Sequence, residues 1–198
     1  MFSKNNTIII VGRSEIVGAK YKYLLYFNEL YPTIGINNIN PEFQPTYTMF
    51  VDTKMGPIYN IINNNIDTTI LTGLHNLNKI PTGIKTQWFK HVVIGSACTK
   101  PFDGDTLYFS GFTHDVAISY AIQQRYKNVI LFGAADFTDI HYDNKTKFNR
   151  GEGISRQSIN FIENVCSKFC NLYTINPNSR LNIGRISIER LLNEYEPE

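Results

Sequence analysis

The sequence predicts an α/β fold: one domain over residues 1–198, built on a mostly parallel sheet of about six or seven strands with helices on both faces. Three observations carry this expectation. In residues 7–25 (TIIIVGRSEIVGAKYKYLL) an unbroken β-branched run, Ile8 to Val11, passes through Gly12 into a helical pattern; such a run fits a central parallel strand covered on both sides. Residues 129–134 (VILFGA) form a second run of this kind, preceded by a helical stretch and followed by Asp136. Strand and helix patterns alternate along the chain without linker, repeat or low-complexity tract, as βαβ units do.

Taken in order, Ile8, Ile9, Ile10 and Val11 make the first strand, and Gly12 ends it. From Ser14 onward the apolar positions Ile16, Val17, Leu24 and Leu25, with Ala19, Tyr21 and Tyr23 between them, suit a helix whose first turn starts at Ser14 or Glu15. Residues 32–36 (PTIGI) form a short strand ending at Asn37-Asn38, a loop rich in Asn and Pro runs to Pro45, and residues 47–51 (YTMFV) form a third strand closed by Asp52. Residues 58–62 read as a short helix, 68–71 as a fourth strand and 92–97 (VVIGSA) as a fifth. Between the last two, residues 73–90 carry the single tryptophan, Trp88, show no clear period, and read as loop and short helix. Residues 113–126 (THDVAISYAIQQRY) set Val116, Ala117, Tyr120 and Ala121 on one face of a helix capped by Thr113. After the strand at 129–134, the polar loop 137–153 has the length of an active-site lid. An amphipathic helix over 155–169, a last strand at 171–175 and a closing helix at 186–195 complete the chain.

Composition narrows the function classes. A chain of 198 residues with 42% hydrophobic content can bury a core of its own. Its net charge of +2, with no dense Lys/Arg block, argues against a nucleic-acid binder and gives a nucleic-acid acceptor little support. Cys98, Cys166 and Cys170 are odd in number, the last two four apart on a helical pattern. They read as reduced thiols, not a disulfide frame, which points to a cytoplasmic protein. The N-terminal apolar run of residues 8–11 is too short for a signal peptide or a membrane span.

The candidate binding residues begin at Gly12-Arg13-Ser14, the first β-to-α connection. In open α/β sheets such turns place main-chain N–H groups and a helix N-terminus where phosphates are held. The three-glycine dinucleotide fingerprint is absent, Gly18 lying a turn too deep, so Gly12 ending a strand and Ser14 capping a helix is the plainer reading. Arg13 favours the binding one: a guanidinium at the mouth of a helix N-terminus calls for an anion. Asp136, at the carboxyl end of a buried strand, either faces the ligand crevice or caps the following turn. His141, the one histidine in the polar loop, and the adjacent Tyr142 are candidates for proton transfer and charge stabilisation, with a solvated loop residue and plain packing as their ordinary alternatives. His114, in the first turn of a helix, could face the same site. Asp103-Gly104-Asp105 imitates a carboxylate pair for Mg or Mn, but Asp-Gly is foremost a tight-turn signal, and no metal site is assigned.

The second half, SGFTHDVAISYAIQQRYKNVILFGAADF followed by a polar loop with Tyr142 and then SINFIENVCSKFCNLYTINPNSRLNI, resembles the small bacterial sialyltransferases of the Campylobacter type. It also resembles their wider Rossmann-like relatives, the pterin-diphosphokinase-like proteins. Those chains open on a strand and a Gly-x-Gly-Pro-Ser-Leu turn, then strands ending in Asn and in Asp or Asn; the counterparts here are Gly12-Arg13-Ser14, Ile36-Asn37 and Val51-Asp52. The resemblance implies a nucleotide-sugar transferase in which Gly12 and Ser14 face the nucleotide phosphate, Asn37 and Asp52 its sugar or base, and Thr113 the transferred group. It implies that Tyr142 stabilises the leaving phosphate. The family's general base is a histidine late in the loop; the matching stretch, residues 149–156, holds Arg150 and Arg156 and no histidine, a departure from the family's pattern.

Residues 11–18 (VGRSEIVG) look, over about one helix, like the cofactor loop of methylenetetrahydrofolate dehydrogenase, where Arg and Ser meet the extra phosphate of NADP. The usual proline is replaced by Ala19, and no Tyr-x-x-x-Lys precedes the turn. The expectation is therefore a glycosyltransferase-like enzyme. Its substrates would be a CMP- or UDP-linked sugar and an acceptor hydroxyl, with no tightly bound cofactor. His141, Tyr142 and Asp136 are assigned to catalysis, and Gly12, Arg13, Ser14, Asn37, Asp52 and Thr113 to the nucleotide. A pterin-type diphosphokinase using ATP and Mg, and an NADP- or nucleotide-binding module without transferase activity, are the alternatives.

Overall fold

The computed structural model of the chain describes residues 2–37, 42–53, 56–93, 98–137 and 152–195. The first half contains β1 (Thr7–Val11), α1 (Glu15–Ala19), α2 (Tyr21–Leu30), β2 (Thr33–Ile36), β3 (Tyr47–Phe50), α3 (Gly56–Asn63), β4 (Thr69–Gly73), a 3-10 segment Leu74–Lys79, and β5 (Thr86–Val93). The second contains β6 (Phe102–Asp103), β7 (Thr106–Phe109), α4 (Thr113–Gln123), β8 (Asn128–Phe132), α5 (Glu152–Asn164), a 3-10 turn Cys166–Lys168, β9 (Asn171–Thr174), β10 (Gly184–Arg185) and α6 (Ile188–Asn193).

All ten strands belong to one sheet, in the order β10-β9-β8-β1-β2-β3-β4-β5-β7-β6. Every pairing is parallel except the β6–β7 hairpin. β8 and β1, third and fourth in that order, are buried at all five positions each, as their unbroken apolar runs require. Successive residues serve opposite layers. Ile8 and Ile10 pack with Val116, Ala117, Phe161 and Ile162 of α4 and α5; Ile9 and Val11 pack with Leu24, Phe27, Ile58 and Leu191 of α2, α3 and α6. Helices on both faces of a mostly parallel sheet are thus as expected.

The strand number is not. The described residues form ten strands where about six or seven were expected. The hairpin β6–β7 went unread because its four-residue arm TLYF follows directly on Asp103-Gly104-Asp105, where Gly104 (φ +53°) makes the turn. Two-residue β10 offers no pattern at all. Residues 86–90, expected as loop, are most of β5, whose last two residues are the first two of the strand expected at 92–97; residues 94–97 lie outside the described residues. The strand lies toward the sheet periphery with only Phe89 buried, so no apolar run marks it. The first helix is also two helices, broken at Lys20 (φ −120°, ψ 18°), and the helix expected at 155–169 ends at Asn164. Thr113 is the first residue of α4, not its cap; Phe112 occupies the cap position without a side-chain bond.

The three cysteines are free thiols; burial pushes Cys166 well above the usual thiol range and Cys170 up to about 12. Among the described residues no helix is long and apolar enough to cross a membrane.

The two-layer core makes a direct prediction for urea unfolding. Phe132→Ala, at a position with no solvent exposure, should cost about 3–5 kcal/mol. Tyr59→Ala, at a position 59% exposed, should change stability by less than about 0.5 kcal/mol.

Candidate functional site

The chain leaves β1 toward β2 on one side and leaves β8 toward β9 on the other. The carboxyl ends of β1 and β8 therefore form the topological switch point, where loops diverge and open α/β sheets bind ligands. The two loops meet before they part. Gly12 N–H donates to the Phe132 carbonyl at 3.0 Å, and Ser14 N–H donates to the Gly133 carbonyl at 3.1 Å. A Cβ on Gly12 would lie 2.2 Å from the Gly133 oxygen and 2.6 Å from Ala134 Cα, so this approach requires glycine. Two of the amides expected to cradle phosphate in the first turn are consequently bonded to main-chain carbonyls of the facing loop.

That facing loop has the more unusual backbone. Gly133, Ala135 and Phe137 have φ of +66°, +56° and +54°, while Ala134 and Asp136 between them do not. For alanine and phenylalanine the left-handed region costs about 1–2 kcal/mol each, and such conformations persist where the surrounding structure enforces them. Alternating left-handed and ordinary residues curl successive amides toward one side, the geometry of main-chain anion sites. Among the described residues, the amides of Ala134, Ala135 and Asp136 donate no hydrogen bond, although all three residues are buried.

Asp136 does not open onto the crevice. It is 2% exposed, and its carboxylate accepts Ser14 Oγ–H at 2.6 Å and Thr174 Oγ1–H at 3.3 Å. Its carbonyl accepts Arg180 N–H at 3.1 Å. One carboxylate therefore ties the loops after β1, β8 and β9 together. Burial pushes its pKa above the usual carboxylate value, and hydrogen-bonding from Ser14, Asn176, Thr174 and Ser179 pulls it partly back; the Asn176 side chain stands close, without a hydrogen bond of ordinary geometry from Nδ2. Ser14, 7% exposed, has its hydroxyl engaged in the same tie. Of the two roles weighed for Asp136, fastening a turn describes the geometry.

A second buried carboxylate, unassigned from sequence, organises the start of α4. Asp115 is fully buried. Oδ2 accepts the Ser110 N–H at 3.1 Å and Oγ–H at 2.6 Å, and Oδ1 accepts Ser158 Oγ–H from α5 at 2.5 Å. His114 Nε2 lies 3.2 Å from Ser158 Oγ and 3.5 Å from Asp115 Oδ1. Its ring stacks on Phe112, centroids 4.9 Å apart, and meets Phe137 edge-on at 5.3 Å. The start of α4 thereby touches the end of the Gly133 loop. Thr113 sits beside this contact, 8% exposed.

The remaining assigned residues are dispersed. Arg13 is half-buried in the first turn. Asn37 closes β2 with φ +58° and donates its N–H to Met49 O at 2.9 Å. Asp52 is exposed beyond β3, its carbonyl accepting Asn76 Nδ2–H at 3.2 Å. Both lie on the β2–β3 side of β1, away from Asp136. His141 and Tyr142 lie outside the described residues. Asp103 pairs with Lys100, three residues before it, at 2.8 Å, and among the described residues no group of three or more His, Cys, Asp or Glu is placed to hold a metal. Comparison with known proteins found no matching family model, no matching curated protein and no matching solved structure.

Two predictions rest on this corner. Gly12→Ala should lower the thermal midpoint sharply, as expected of a core overpacking that costs about 1–3 kcal/mol or more, because the atoms it meets are backbone. The second concerns pH. Asp136 binds its proton more tightly in the folded than in the unfolded chain, so its contribution to stability is complete below the ordinary carboxylate pKa. That contribution is lost as pH rises through the elevated folded value. Urea titrations across the acid range should find wild type losing stability relative to Asp136→Asn as pH rises; a difference moving the other way would mean that the hydrogen bonds outweigh burial.

Proposed function

We propose that the crevice at the β1–β8 switch point holds the phosphate of a nucleotide, and that the protein is a transferase acting on a nucleotide-activated sugar. The observation supporting nucleotide binding most directly is the loop after β8, where buried amides of Ala134, Ala135 and Asp136 have no hydrogen bond among the described residues. Buried main-chain donors are almost always paired, and phosphate oxygens would pair these. Arg13, on the facing turn, would add a guanidinium to the same anion.

Sugar transfer is supported by the resemblance of residues 110–137 and 158–183 to the sialyltransferase-like chains. In this reading Asn37 and Asp52 meet the nucleoside, Thr113 the sugar, and His141 and Tyr142 the acceptor proton and the leaving phosphate. The Asp136 carboxylate and the Ser14 hydroxyl act by holding the loops in register, without touching substrate.

Thermal-shift titrations with CMP, cytidine, UDP, ATP plus Mg and NADP test the reading. A ligand at a hundred times its Kd stabilises by about 2.7 kcal/mol, so CMP or UDP should raise the midpoint while cytidine should do so far less. Arg13→Ala should weaken the nucleotide about tenfold, the order of one charge-assisted hydrogen bond. His141→Ala should leave binding intact and lower donor turnover. A preference for ATP with Mg, a preference for NADP, or no response to any nucleotide would each defeat the sugar-transfer assignment.

A further inference from the structure

A second binding site is suggested by an interruption in the sheet, remote from the crevice. β5 changes partner halfway along. Its first half pairs with β4, from Ile70↔Thr86 to Gly73↔Phe89, and its second half pairs with β7, from Lys90↔Thr106 to Val93↔Phe109. Beside residues 86–89, on the side away from β4, no strand is paired among the described residues. Ile70 N–H donates to Lys85 O at 2.9 Å, which fixes the phase of the ladder. In a parallel strand alternate residues address opposite neighbours, so Lys85, Gln87 and Phe89 face β4 while Thr86 and Trp88 turn their N–H and C=O groups into the gap.

The gap is a cavity of about 520 Å³. Its floor is residues 87–90, one end is the hairpin tip Gly104-Asp105, and its roof is the last turn of α4 with Tyr120, Gln123 and Gln124. The frame is fixed. Tyr120 Oη–H donates to Gln87 Oε1 at 3.0 Å, and Gln123 Nε2–H donates to the Gly104 carbonyl at 2.7 Å, pinning the hairpin tip against the helix. Because α4 starts near the switch point and rises about 1.5 Å per residue, its last turn lies at the other end of the sheet.

We propose that this slot is a docking site for an extended peptide, which enters beside β5 as an additional short strand. Three features select a main chain over other ligands. β7 occupies the same lane from Lys90 onward, so the lane already has the width of one strand. The open edge, residues 86–89, is about 13 Å long at strand rise, enough for a four-residue segment. Along it Thr86 and Trp88 present main-chain groups that pair with no strand among the described residues, and strand addition is the mode of recognition that uses such groups.

Trp88 is the chain's single tryptophan and lines the slot, so its fluorescence reports occupancy directly. The probe is the capped tetrapeptide acetyl-Thr-Val-Thr-Val-amide, titrated into the full chain to millimolar concentration. The expected result is a saturable change in Trp88 emission. N-methylation of the peptide's alternate amides, in the frame that faces β5, should weaken binding at least tenfold, and methylation in the other frame should not. Thr86→Pro removes a main-chain donor on the gap side while leaving the β4 ladder intact, and should weaken the peptide similarly with an unchanged circular dichroism spectrum; should that variant fail to fold, the methylated peptides still decide the matter on wild type. No emission change with the peptide, equal binding of both methylated frames, or a response to maltotetraose in place of the peptide would overturn the proposal.

Discussion

The contact on which this molecule depends is the meeting of two main chains, Gly12 against Gly133. Everything at the carboxyl end of the sheet is spaced by it: the first turn hydrogen-bonds to the loop after β8 through Gly12 N–H and Ser14 N–H, and no side chain larger than hydrogen fits between them. The consequence is an exchange of roles between the two loops. The first turn, whose sequence looked like the phosphate cradle, uses part of its donor capacity to grip its neighbour. The neighbour, held from below, is left with its own amides curled and undonated among the described residues. A glycine that appeared to serve a ligand serves the loop that would meet it.

Two buried carboxylates complete the frame, and they do related work in different layers. Asp136 gathers hydroxyls from the β1 and β9 loops; Asp115 gathers Ser110 and Ser158, joining the start of α4 to α5. Each accepts hydrogen bonds from hydroxyl or amide donors, and His114 Nε2 also stands 3.5 Å from Asp115 Oδ1, which offsets the cost of holding a carboxylate in the interior. Between them stands the aromatic stack of Phe112, His114 and Phe137. The left-handed backbone at Ala135 and Phe137 is therefore fastened on both sides.

How far the sequence could be read depended on how completely each element is buried. β1 and β8 announce themselves because both of their faces are covered, and a two-sided core demands the unbroken runs IIIV and VILF. α4, buried on nine of its residues, was equally plain. The first part of β5 was missed because Gln87 and Lys90 are exposed and break any apolar run, and β7 because one short run beside an Asp-Gly turn carries little pattern. At the site, Gly12, Ser14 and Asp136 were recognised as neighbours of the crevice, but their mutual hydrogen bonds could not be foreseen from residues so far apart. The small residues Gly133-Ala134-Ala135 before Asp136 were the available sign of a tight, left-handed loop. Asp115 gave none, since an acidic residue in the first turn of a helix is ordinary.

The distance along the chain between Ser14 and Asp136, 122 residues, has a bearing on biosynthesis. β1 can find β2 soon after both have left the ribosome, but its other neighbour, β8, and the carboxylate that sets its turn emerge only after more than a hundred further residues have been made. Until then one flank of Thr7–Val11 is an unpaired, uncharged, β-branched edge, the kind of segment that associates with its own copies. Pairing across so long a separation is also slow, because loop closure precedes any compensating contact. The growing chain thus exposes an adhesive stretch and covers it late, a sequence of events in which transient protection by a chaperone would have the most to offer.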